Sequence, residues 1–327
     1  MRSRIWFLGA RACEQGRPSQ GQFAATLLPE LTSMGNPVLR LLTVDDLDDA
    51  VRLSTIVGWN QRPDDWRILL QIARTTAFAA VIDEGLAATA IGIDYRRFWW
   101  IAMMLVNPSY RRHGLGRRLL EAAMAAAPAN LPIRLDATAL GRPLYLQYDF
   151  EDESSISRHV RNGKPAVGPD SGAVRRGVDV RPMELSDVAI IIAEDKKIFG
   201  GDRAAVLEWA FHDAPQYAHA GHSGDAPTHY CFGRRGRLFD QIGPVVAGDE
   251  RTAQALVAAA LDAAGDRPVV VDAFDQHIAF AAWLRSRGFA VQRPLIRMCR
   301  RGRFNEPTTP IASSSLVEFA IFGPEFG

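Results

Sequence analysis

Cysteine is scarce in this chain: three in 327 residues, Cys13, Cys231 and Cys299, too few and too scattered for a disulfide framework or a zinc knuckle. They read as free thiols in a reducing compartment, and no metal site is expected. A charge excess is missing too. Against 38 Lys+Arg stand 37 Asp+Glu, a formal net charge of +1. No nucleic acid and no anionic membrane surface is therefore expected as the main partner, because either asks for a clear basic excess. No run approaches the ~18 consecutive apolar residues that would span a bilayer. Residues 1–33 open with Arg2, Arg4, Ile5, Trp6, Phe7 and Leu8, but Glu14, Gln15, Gly16 and Arg17 interrupt before an apolar core develops. They do not read as a secretory signal. The expectation is a disordered leader over 1–37 and a cytoplasmic monomer or homodimer. What is present is an ordinary globular composition, 47% hydrophobic, long enough for about two domains of 100–200 residues.

Two stretches open alike. Val38-Leu39-Arg40-Leu41-Leu42-Thr43 runs into an Asp-rich helical start, and Asp179-Val180-Arg181-Pro182-Met183-Glu184 runs into Leu185-Ser186-Asp187. Each reads as a short strand entering a capped helix, with Thr43 and Ser186 as N-caps. Each unit closes on a helix and an aromatic strand start, at Leu144 to Phe150 and at Trp283 to Phe289. Arg40 to Phe150 spans 110 positions and Arg181 to Phe289 spans 108, which marks a tandem repeat. The expected domains are 38–150 and 178–303. A Ser-, Gly-, Pro- and charge-rich linker joins them over 151–177, its start open to reading as a strand, and a tail follows over 304–327. Leu316 to Phe322 reads either as an added strand or as loose chain.

Within the first unit, apolar runs at 76–82 and 86–94 flank the turn Asp83-Glu84-Gly85, a hairpin signal. Phe98 to Val106 is apolar enough to be a central strand covered on both faces. An amphipathic helix over about 114–127, a strand over 133–136 and a short helix over 143–148 follow. The fold class is mixed α/β: mostly antiparallel twisted sheets flanked by helices.

The segment Val106-Asn107-Pro108-Ser109-Tyr110-Arg111-Arg112-His113-Gly114-Leu115-Gly116 joins that central strand to the amphipathic helix. Glycine at 114 and 116 removes two Cβ atoms where the chain turns, so that backbone N–H groups can converge on an anion. The helix N-terminus adds its dipole, and Arg111, Arg112, Arg117 and Arg118 surround the turn. A pyrophosphate would fit. The segment lacks the Gly-Lys-Ser/Thr of a Walker loop and the third glycine of a dinucleotide fingerprint.

On Arg111, Gly114 and Gly116 the sequence resembles the GNAT superfamily of N-acetyltransferases, whose signature is Arg/Gln-x-x-Gly-x-Gly/Ala. The resemblance extends over 38–150 and, in worn form, over 178 to about 298. It implies two tandem GNAT-like domains and acetyl-CoA as acyl donor. The pyrophosphate would rest on the amides of Arg111, Arg112, His113, Gly114, Leu115 and Gly116. The pantetheine arm would pair with backbone near Leu105 and Val106 like an added strand. Tyr145 stands five residues before Phe150, where the superfamily often carries a tyrosine that protonates the leaving thiolate, although Asp149 replaces the usual glycine of that motif. No acid lies within Phe98 to Val106, so Asp94, Asp136 or a water chain is left as general base. Trp59 and Asn60, in the loop between the first two helices, and Asp94 are the expected acceptor-binding residues, and Trp66 is expected to staple the second helix.

Laid on the first unit, the second places Gln254 on Gly114, Leu256 on Gly116 and Leu284 on Tyr145. Side chains then fill the phosphate turn and the proton donor is gone. The repeat suggests a strand exchanged or paired across the halves. His212, His219, His222 and His229 lack metal-ligand spacing and read as exposed loop histidines. The expected function is acetyl transfer to the amine of a small molecule, in the first unit alone. The alternatives are a non-catalytic acyl-CoA sensor or scaffold, or a protein lysine acetyltransferase.

Overall fold

The computed structural model describes residues 36–72, 74–163, 179–223, 226–302 and 317–327. The leader through residue 35, Cys13 included, and most of the expected linker lie outside them. The first copy runs β1 (Val38–Leu41), α1 (Leu47–Ile56), α2 (Pro63–Gln71), β2 (Thr75–Ile82), β3 (Gly85–Asp94), β4 (Trp99–Val106), α3 (Leu115–Ala125), β5 (Ile133–Ala137), α4 (Arg142–Leu146) and β6 (Glu151–Arg161). The second repeats the order: β7 (Val180–Pro182), α5 (Leu185–Ile198), α6 (Ala204–Asp213), β8 (His219–Ser223), β9 (Ala226–Arg234), β10 (Asp240–Ala247), α7 (Glu250–Ala264), β11 (Val269–Phe274), α8 (Ile278–Ser286) and β12 (Ala290–Arg300). A last strand, β13 (Val317–Ile321), follows.

Local chemistry accounts for these elements. Asp83 and Glu84 both take positive φ, 48° and 64°, the geometry of a two-residue hairpin turn whose twist suits the flanking strands. Strand β4 is buried along most of its length, as its unbroken apolar run requires. Gly92 is required because the Trp99 indole lies against its Cα where a Cβ would stand. Trp66 is fully buried, with Nε1 donating to Ser54 Oγ, so it staples α2 to α1. Thr43 N donates to Asp46 and Arg40 pairs with the same carboxylate. In the second copy Glu184 N donates to Asp187, which Arg181 pairs. The arginine in each case holds the aspartate below its usual range. The N-cap of α5 is therefore Glu184 and not Ser186, because the carboxylate at the third helical position does the capping.

The two copies do not form separate sheets. All thirteen strands join in one, in the order β1-β2-β3-β4-β5-β12-β6-β11-β13-β10-β9-β8-β7. The closing strand of each copy has crossed to the other: β12 pairs with β5, and β6 pairs with β11. Equivalent ion pairs fasten both exchanges. Arg297 binds Asp136 at 2.9 and 3.0 Å, and Arg158 binds Asp272 at 2.7 and 2.6 Å. All four residues are buried, apart from Asp136, which is half-buried by residue but wholly enclosed at its side chain. Removing one partner of such a pair costs about 3–5 kcal/mol, because the other charge is stranded.

Two open readings are decided here and one expectation changes. Glu151 to Arg161, at the start of the expected linker, is a central strand, and its Arg158 finds a countercharge in Asp272 of β11. The tail adds a strand, β13, in the sheet interior. His219, His222 and His229 lie on strands β8 and β9, and His212 on α6, with His219 and His229 buried. Gly221 and the turn residues around them disguised these strands as loop. No group of metal-ligating side chains occurs among the described residues, nor a helix long and apolar enough to cross a membrane.

Candidate functional site

Between β3 and β4 the register slips: Thr89 faces Leu105 while Ile91 faces Ala102. The extra residue in β4 forms a bulge at Met103, whose φ is 50° and whose carbonyl accepts the buried Thr89 hydroxyl at 2.8 Å. A bulge bends its strand and disrupts the ladder locally. Strand β4 accordingly pairs in parallel with β5 only at Trp99–Ile133 and Trp100–Arg134. Beyond these two rungs the strands part, with no other strand between them among the described residues. Leu105 and Val106 lie on the β4 side of this cleft.

At its end Asn107 Oδ1 accepts Ser109 N at 3.1 Å and starts a single 3-10 turn, Pro108–Tyr110. Arg112 and Gly114 both sit at positive φ, 67° and 78°. Gly114 caps α3 without a side-chain hydrogen bond, and Arg118 N to Gly114 O is the first helical bond. The N–H groups of the first helical turn are therefore left for a ligand. Arg111, Arg112 and His113 are exposed around them, and Leu115 is buried as the anchor. Arg111 Nε folds back to Val106 O at 3.3 Å. A Cβ on Gly116 would stand 3.6 Å from Val106 and 3.8 Å from Leu144, so the turn lies against α4.

Helix α4 carries Tyr145, 7% exposed, its ring 5.9 Å from that of Phe150. Burial pushes its phenol up, which keeps the hydroxyl protonated as a donor, and no hydrogen bond engages it among the described residues. Asp149 adopts φ 62°, as Gly288 adopts 84° in the second copy, and the turn is kept. Phe150 N donates to Tyr145 O as Phe289 N donates to Leu284 O, so Tyr145 and Leu284 are structural equivalents.

The side chains of Asp94, Asp136 and Asn60 are engaged within the fold. Asp94 caps its hairpin, accepting Arg96 N at 2.7 Å and lying 3.5 Å from Arg74. It faces Trp99, at the end of β4 remote from the turn, about 23 Å away at the usual rise per residue. Asp136 is committed to Arg297. Asn60 is buried and brackets the second copy: Oδ1 accepts Leu238 N and Phe239 N, and Nδ2 donates to Phe239 O. Trp59 is half-buried, its carbonyl held by Arg237. The loop reads like an acceptor pocket from sequence because its partners, in the connection between β9 and β10, lie about 180 residues away.

The C-terminal segment crosses the same face. Tyr95 donates to Phe326 O and Trp100 Nε1 to Pro324 O, while Arg203 holds Gly327 O. Glu325 pairs with Arg234, accepts Gln61 Nε2 at 2.9 Å, and shares Arg234 with Asp65. Burial raises Asp65 to about 6. Between roughly pH 4 and 6 the folded state thus holds a proton that an unfolded aspartate has released. Folding stability is predicted to fall as pH rises through that window, and urea titrations of Asp65→Asn should show this part of the slope gone. An unchanged slope would assign it to other groups.

In the second copy the same architecture is closed. Strands β10 and β11 pair in parallel at two rungs, Asp240–Val269 and Gln241–Val270, and β10 slips register around Gly243 and Pro244. Strand β13 then enters the gap and pairs with both, Val245–Ala320 on one side and Asp272–Ile321 on the other. The phosphate turn has become helix. Asp249 caps α7 with its own carboxylate on Thr252 N at 2.9 Å, Gln254 lies within the helix, and Leu256 is fully buried.

The sequence model of the acetyltransferase (GNAT) family matches residues 44–140, and that of an acetyltransferase (GNAT) domain matches 191–311. Together they take in both copies: the chain belongs to the GNAT superfamily of acetyltransferases and carries two GNAT domains in tandem. It is 23% identical over 240 residues to an uncharacterized N-acetyltransferase of Bacillus subtilis, YitH, covering 73% of this chain and 83% of that one. A candidate acetyltransferase from Pyrococcus horikoshii superposes with a TM-score of 0.66 at 22% identity, over 92% of this chain and all of the other. A tandem GNAT protein from the clavulanic acid biosynthesis pathway superposes at 0.56 and 13% identity, over 83% of this chain and 100% of that one. GNAT enzymes take acetyl-CoA as donor.

Proposed function

We propose that this protein transfers the acetyl group of acetyl-CoA to the amine of a small molecule, and that the first copy alone is catalytic. The observation that carries this reading is the contrast between two clefts of one sheet. Each is opened by a bulged strand leaving a parallel neighbour, and one is filled by β13 while no strand of the described residues enters the other. A gap that accepts an extended peptide on both edges in one copy suits, in the other, an extended ligand with amide groups, held by main-chain hydrogen bonds. The residues fit such a donor: free first-turn N–H groups and a left-handed Gly114 for the pyrophosphate, and Leu105 and Val106 for the arm. The donor supplies an acyl group on a thiol leaving group.

This chain's own part is to orient and to move protons. The β4 and β5 edges align the acyl group, and the β4 bulge sets where β4 departs. Tyr145, kept neutral by burial, offers its proton to the departing thiolate. Neither Asp94 nor Asp136 is free to deprotonate the amine, which assigns that step to water. An amine that enters neutral needs no carboxylate.

Calorimetry with acetyl-CoA is expected to give one site per chain, and thiol release across a panel of small amines is expected to show turnover. Two sites would overturn the closure of the second copy. Binding without release for any amine, with modification of peptide lysines also absent, would leave an acyl-CoA sensor. Release with peptide lysines alone would move the acceptor to protein.

A further inference from the structure

Strand β12 carries three side chains of one face at 293, 295 and 297, with regular pairing between them. Arg297 lies on the Asp136 carboxylate and over the Trp100 ring, which identifies this as the face crossed by the C-terminal segment. Leu295 is buried at the centre. Arg293 is different. Ile296 pairs with Ala137, the last residue of β5. Arg293 therefore extends past the end of β5, beside the connection that leads into α4 and Tyr145. The sheet order β4-β5-β12 puts it on the β5 side of the first-copy cleft, on the face that Arg297 shares with Trp100.

Its surroundings hold charges that are already used. Arg158, across the strand pair, is engaged with Asp272, and Glu325 with Arg234. Arg293 itself is half-buried, its Nε is enclosed without a hydrogen-bond partner, and no ion pair reaches it among the described residues. Burial and the neighbouring Arg158 cation push its guanidinium down from the usual range. A cation kept in such a place is costly unless an anion completes it. The matching position on β6 is Ser154, which faces Arg297 as Arg293 faces Arg158. The exchanged strands do not need a charge at this position, since the other one carries none.

Resting on the acetyl-transfer reading above, we infer that Arg293 receives a carboxylate of the acceptor, so that the acceptor class is small amines bearing a carboxylate a few carbons from the nitrogen. A planar guanidinium binds a carboxylate in a fork, which orients the amine as well as holding it.

The test compares amino acids with their carboxamides. With glycine, β-alanine and γ-aminobutyrate as acceptors, the best carboxylate should exceed its carboxamide in kcat/KM by roughly 10–100-fold, the range of a charged hydrogen-bonded pair. Arg293→Gln should abolish that ratio through KM, and Arg293→Lys should keep part of it. A second arm needs no turnover: ligand-observed NMR of the N-acetyl derivatives of the same three, with CoA present, should show wild type preferring the acids over the amides and Arg293→Gln showing no preference. Equal binding of acids and amides to wild type, or a preference that survives Arg293→Gln, would overturn the inference. Loss of the acetyl-transfer reading would show separately, as absence of acetyl-CoA binding by calorimetry or as binding without thiol release for any amine.

Discussion

Gly116→Trp should eliminate measurable acetyl-CoA binding, a loss of at least about 100-fold or about 2.7 kcal/mol. The position faces Val106 and Leu144 at ordinary contact distance for a single added carbon, so an indole has nowhere to go but outward, over the first-turn N–H groups of α3. It would occupy the space where the pyrophosphate is to lie and would push α4, with Tyr145, away from the turn. The matched control is Gln254→Ala at the counterpart of Gly114. Gln254 is half-buried within α7, and its replacement should leave both affinity and the one-site stoichiometry intact. Leu256 is unsuitable as a control because it is wholly buried, and overpacking it would cost about 1–3 kcal/mol of stability by itself. Unimpaired binding by a folded Gly116→Trp protein, judged by isothermal calorimetry and circular dichroism, would remove the turn from the donor site.

Tyr145→Phe separates chemistry from position. The ring stays packed on Phe150, the α4 turn keeps its hydrogen bonds, and only the hydroxyl is lost. Donor affinity should hold, while single-turnover transfer to a competent amine falls by about 10²–10⁴-fold. Because burial holds the phenol above its ordinary range, the wild-type rate should show no loss of a protonated acid up to about pH 10, where an exposed tyrosine is half ionised. A fall with the ordinary tyrosine titration would mean that the hydroxyl is more open to water than the fold shows. An unchanged single-turnover rate in Tyr145→Phe would make the residue a packing group and hand the proton to solvent.

The signals that proved legible were those carried within a few residues. The bulge-bearing strand, the Gly114 turn and α3 form a continuous run, and each obeys a local rule: apolar on both faces, positive φ at glycine, amphipathic helix. Tyr145 and its turn are local as well, and Asp149 keeps the left-handed backbone that glycine would supply. The engagement of Asn60 and Asp94 was not legible, for the opposite reason. Their hydrogen-bonding groups are satisfied by Leu238 and Phe239 in one case and by a hairpin in the other, and a polar side chain in a loop gives no local sign of which. Arg293 passed unnoticed because an arginine in a polar strand reads as solvated until its neighbours are placed.

The sequence by itself determined that there are two copies and that the glycines of one turn are replaced by larger side chains in the other. These follow from spacing and side-chain type, which survive without knowledge of contacts. Only the tertiary structure decided where the copies meet. The exchange of β6 and β12 depends on Arg158–Asp272 and Arg297–Asp136, whose members stand 114 and 161 residues apart. The filling of the second cleft depends on β13 finding two unpaired strand edges at once, since backbone N–H and C=O groups buried without partners are costly. Hydrogen-bonding demand of that kind belongs to an edge and not to a residue, so it becomes visible only when the sheet is assembled.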